Sequence, residues 1–93
     1  MRITITEQHI SKAIMAINKN LLAKTNCPIS QALRELNLKG DIYVESDKII
    51  INDGMLTTYR SLPPAARKFI FNFDCLREVE PFRFEIIDLL YSI

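Results

Sequence analysis

Leu62-Pro63-Pro64-Ala65-Ala66-Arg67-Lys68-Phe69-Ile70-Phe71-Asn72-Phe73-Asp74 carries two incompatible patterns at once. Phe69, Phe71 and Phe73 alternate as a strand would. Leu62, Ala66, Phe69, Ile70 and Phe73 instead share one helical face. Two prolines followed by good helix formers are an N-terminus signature, so the spacing predicts a helix over 62–74. In a helix Phe71 points roughly 200° from Phe69, away from the core face. It then needs a cover of its own: the C-terminal tail, a second subunit or a partner.

Upstream, Ile42-Tyr43-Val44-Glu45 and Lys48-Ile49-Ile50-Ile51 read as a hairpin joined by Ser46-Asp47. Asn52-Asp53-Gly54 makes a second turn, and Met55 to Tyr59 adds a third short strand, since an isolated hairpin is only marginally stable. Before them, Cys27-Pro28 opens a helix, because proline at the first helical position costs no hydrogen bond. Asn26 or Cys27 is its cap, Ile29, Ala32, Leu33 and Leu36 its buried face, and Gly40 its stop. Earlier still, Ile10, Ala13, Ile14, Ile17 and Leu21 recur at helical spacing after a Thr6 cap, and Ile3 and Ile5 lie on one face of a strand over 2–6. Downstream, Pro81 ends the helical pattern and Phe82, Phe84 and Ile86 alternate as a final strand.

The order is strand, two helices, two or three strands, helix, strand. It predicts an α+β fold with a largely antiparallel sheet of three to five strands and about three helices on one face. With 93 residues, 48% of them hydrophobic, the chain has room for one modest core, so residues 1–93 are read as a single domain. No apolar run approaches the roughly 20 residues of a membrane span. Met1 to Thr6 alternates and then turns polar, unlike a secretory signal, so the expected compartment is the cytoplasm.

Formal net charge is only +1, from twelve basic and eleven acidic side chains. Residues 1–48 carry seven basic and five acidic groups, and residues 63–93 carry four and five. A duplex binder needs a clear basic excess to neutralise phosphates, so nucleic acid is not the expected partner. Cys27 and Cys75 lie 48 positions apart and read as reduced thiols, and a single histidine with no close cysteine pair offers no metal-ligand spacing. Gly40 and Gly54 are the only glycines, so neither a P-loop nor a dinucleotide fingerprint can be written. No cofactor is expected.

Catalytic candidates are few. His9 falls off the Ile10–Ile14–Ile17 stripe and is expected to face solvent. Cys27 at a helix N-terminus would have a lowered pKa in principle, but a buried packing role suits a free cysteine better. The carboxylates Asp74, Glu78, Glu80, Glu85 and Asp88 interleave with Arg67, Arg77 and Arg83, as on a solvated surface. The chain is therefore expected not to be an enzyme.

Cys27-Pro28-Ile29 with Ala32-Leu33, Leu62-Pro63, Phe69-Ile70 with Phe73-Asp74, Val79, and Pro81-Phe82 with Phe84-Glu85-Ile86 resemble a group of small proteins of tailed bacteriophages whose function is unassigned. The resemblance implies action in the host bacterial cytoplasm and no substrate. By analogy with small phage proteins of this size, it implies a non-enzymatic binding module. Such a module would inhibit a host or host-defence protein, or sequester a small molecule. A small nucleic-acid-binding regulatory protein is the alternative. Phe71 and the apolar residues Leu89, Leu90, Tyr91 and Ile93 form the expected interface, either closing over one another within the monomer or making a homodimer.

Overall fold

A computed structural model describes residues 2–20, 26–36 and 40–86. The elements in chain order are β1 (Arg2–Ile5), α1 (Glu7–Asn18), α2 (Pro28–Arg34), β2 (Asp41–Val44), β3 (Lys48–Asn52), β4 (Thr57–Ser61), α3 (Pro64–Asp74) and β5 (Phe82–Glu85). The fold is α+β with antiparallel pairing throughout, and the proline-led segment is a helix. Pro63 is the extended residue before α3 and Pro64 its first turn, where a missing N–H leaves nothing unpaired.

The five strands of the described residues divide into two sheets, β1–β5 and β2–β3–β4. The element order pointed to one sheet and the described strands form two, because alternation marks a strand without naming its partner. The register sets Ile3 opposite Phe84 and Ile5 opposite Phe82, and sets Ile42 opposite Ile51 and Val44 opposite Ile49. Helix α2 packs against α1, β1 and β2, so it bridges the two sheets. Ile3, Ile5, Ile29, Leu33 and Ile49 are fully buried, and with Ala66, Phe69, Ile70, Phe73 and Phe84 they belong to one continuous core. The Phe69 ring packs at a tilt against Phe82, 4.6 Å between ring centres, which seats α3 on β5.

Two expected core positions behave otherwise. Leu36 is exposed, because α2 ends at Arg34 and the chain has already left the helical face. Ile14 is 48% exposed. The buried face of α1 is His9, Ile10, Ala13 and Ala16, rotated from the apolar stripe by about one residue. Leu21 lies outside the described residues.

Candidate functional site

Between α1 and the C-terminal end of α3 runs a groove of about 300 Å³. Its floor and walls are Ile10, Ile14, Ile17, Phe73, Leu76 and Val79, and Asn18, Arg77 and Glu78 form the polar rim. Apolar walls with a few polar groups at the margin are the composition of a binding site.

Leu76 is the unusual member. It follows the Cys75 cap of α3 with φ of 61°, in the left-handed region that favours glycine. The Leu76 N–H donates to the Phe73 carbonyl and the Arg77 N–H to the Asn72 carbonyl, the paired bonds of a Schellman ending. A leucine there carries backbone strain of about 1–2 kcal/mol. Its side chain nonetheless stays 86% exposed at the groove edge. Neither strain nor exposure is repaid by packing, and residues held at such cost cluster at binding sites. Sequence reading passed over Leu76; the absence of glycine after α3 was the available signal.

Phe71 is exposed on α3, away from Phe69 and Phe73 as the helical spacing required. The Arg77 guanidinium lies 5.5 Å from its ring centre, and Arg77 also lines the groove, so Phe71 adjoins the groove rim. Leu89, Leu90, Tyr91 and Ile93, the other expected interface residues, lie outside the described residues.

His9 does not face solvent; it is only 5% exposed. The Thr6 backbone N–H donates to His9 Nδ1 at 2.9 Å, and the His9 N–H donates to Thr6 Oγ1 at 3.3 Å. This is a capping box with histidine where glutamate or glutamine is usual. Because Nδ1 accepts, the ring proton sits on Nε2, which donates to Glu35 Oε1 at 2.7 Å. That bond holds the Glu35 carboxyl below its usual range. Both ring nitrogens are committed to the fold. The Thr6-x-x-His9 spacing was the legible half of this arrangement; Glu35, the C-terminal cap of α2, was not.

Cys27 caps the other end of α2, its Sγ accepting from the Ser30 N–H at 3.5 Å while Ser30 Oγ donates to the Cys27 carbonyl at 2.9 Å. Burial pushes the Cys27 thiol up, outweighing its hydrogen bonds to Ser30. His9 reaches α2 at Glu35 instead, roughly 12 Å along the helix, so the fold forms no Cys–His pair. Cys75 is a free, exposed thiol. Glu85 pairs with Arg2 at 3.0 Å across β1 and β5. Among the described residues no group of three or more His, Cys, Asp or Glu is placed to hold a metal ion, and no helix is long and apolar enough to cross a membrane.

Most of the residues that carry the resemblance noted in the sequence are framework, and Phe73 and Val79 also line the groove. Cys27 and Pro28 start α2, and Ile29, Ala32, Leu33, Leu62, Phe69, Ile70, Phe73, Phe84 and Ile86 are buried in the core. No family model, no curated protein and no solved structure matches this chain.

Proposed function

We propose that the chain is a non-enzymatic binding module that takes an apolar side chain of a protein partner into the α1–α3 groove. The observation that carries this reading is Leu76, a strained and exposed leucine at the edge of an apolar groove. The groove volume sits at the bottom of the range for small-molecule pockets. Its open rim, with Ile14 and Leu76 both exposed, suits a projecting side chain better than a ligand that must be enclosed. Arg77 and Glu78 offer one charge of each sign at the margin, which gives a partner orientation without demanding net charge. Chemistry has no comparable support, since His9 and Cys27 are buried apart and fully occupied by the fold. The resemblance to small tailed-phage proteins makes a bacterial host protein the partner and inhibition the mode of action.

The test uses wild type and Leu76→Asp as baits in host lysate, followed by reconstitution of any retained protein from purified components. A purified partner that binds wild type and loses at least about tenfold in affinity for Leu76→Asp, with both baits equally folded, is the expected result. Binding indifferent to Leu76→Asp and to Ile14→Asp overturns the groove. A small molecule carried by native wild type and absent from the variant would instead favour sequestration.

A further inference from the structure

The geometry points to β4 as a self-pairing edge, through which two copies of this chain join their three-stranded sheets into one of six strands. The Asp53 N–H donates to the Leu56 carbonyl, and the Leu62 N–H to the Asp47 carbonyl. Antiparallel ladders alternate, so with this register the bonded pairs are Ile51 with Thr58 and Ile49 with Arg60. Thr57, Tyr59 and Ser61 therefore turn their N–H and C=O groups away from β3.

Thr57, Tyr59 and Ser61, whose backbone groups face outward, are neutral and exposed and none is proline, and Arg60 is the one charged residue of the strand. On β5, by contrast, Pro81 stands just before the strand and Arg83 and Glu85 lie along it.

The edge also matches itself. A two-fold axis through Tyr59 sets Tyr59 against Tyr59 of the second copy and Thr57 against its Ser61. Every outward group then meets an outward group. The Tyr59 carbonyl already accepts from Arg60 Nη1 at 2.8 Å and keeps a second lone pair for the partner strand.

Side chains agree with this register on both faces. Tyr43, Ile50 and Tyr59 are directly opposite one another across β2, β3 and β4, on the face turned away from the core. Pairing extends that row through the second copy's Tyr59, Ile50 and Tyr43. On the core-side face Arg60 meets the second copy's Thr58, so no like charges stand opposed. The row that begins at Lys48 and Ser61 continues to the second copy's Thr57, Asn52 and Asp41, which puts an acid at the far end from a base. Met55, 93% exposed at the hairpin tip, falls beside the second copy's Pro63.

Sedimentation equilibrium over a concentration series tests the pairing, with Tyr59→Asp and Tyr59→Lys as the variants. Tyr59 is exposed, so both should fold, which melting curves check. Wild type is expected to dimerise, and each variant alone to lose about tenfold or more in self-association, because like charges then face each other across the axis. An equimolar mixture of the two variants should recover a dimer, since only this register brings the two substituted positions together. A wild type that stays monomeric into the millimolar range overturns the proposal. So does a dimer that survives both variants, or one abolished by Phe71→Asp and indifferent to residue 59.

Discussion

Leu76 shows a single residue paying in backbone strain for a place at the groove edge. Leu76→Gly should raise stability by about 0.5–1 kcal/mol, by relieving the left-handed strain without emptying any core space. Urea denaturation measures this, and the same variant should bind its partner more weakly. Glu35 and Glu85 add a pH dependence of definite sign. Hydrogen bonds from His9 and Arg2 lower their folded values below the ordinary 4.5. The stability they contribute is present above that value and is lost as the pH falls through the lowered folded values. Acid titration of the melting temperature should therefore show a decline starting near pH 4.5, and Glu35→Gln should flatten it. Cys27 has the opposite sign. Its raised folded value favours the thiol, so that contribution is complete below the ordinary 9.0 and lost as the pH rises through the folded value. At neutral pH a thiol reagent should modify Cys75 quickly and Cys27 only on unfolding, and Cys75→Ser should remove the fast phase.

Helix α3 holds the sharpest contrast between two like residues. Phe69 is buried against Phe82, and Phe71, two positions on, is exposed. Phe69→Ala should cost about 3–5 kcal/mol. Phe71→Ala should fall within about 0.5 kcal/mol of wild type. Similar losses from the two would show that the alternating pattern, not the helical one, governs this segment. The helices and strands were legible because their signals are local: prolines ahead of α3, a capping residue before α1, alternation across β2 and β3. What stayed hidden was set by contacts distant in sequence. His9 looked like a surface residue because the apolar stripe was centred on Ile10, Ile14 and Ile17, whereas contact with α2 turns α1 so that His9 is covered and Ile14 is not. The groove was equally hidden, since its two walls come from Ile10–Asn18 and Phe73–Val79 and meet only in the fold.

At the scale of the whole molecule, α2 connects what would otherwise be two small and separately marginal sheets. Leu33 is fully buried on that helix. Leu33→Ala should cost about 2–5 kcal/mol. It should also speed amide hydrogen exchange in β1–β5 and in β2–β3–β4 together. Faster exchange confined to one sheet would mean that the sheets unfold independently. The β1–β5 sheet has a further consequence, in time. Arg2 meets Glu85 across a separation of 83 residues. A ribosome adds about 5–20 residues per second, so β1 waits roughly 4–17 s for β5, the strand it pairs with among the described residues, to be synthesised. Until β5 emerges, Ile3 and Ile5 have α2 to pack against but lack Phe84 and Phe82 beside them.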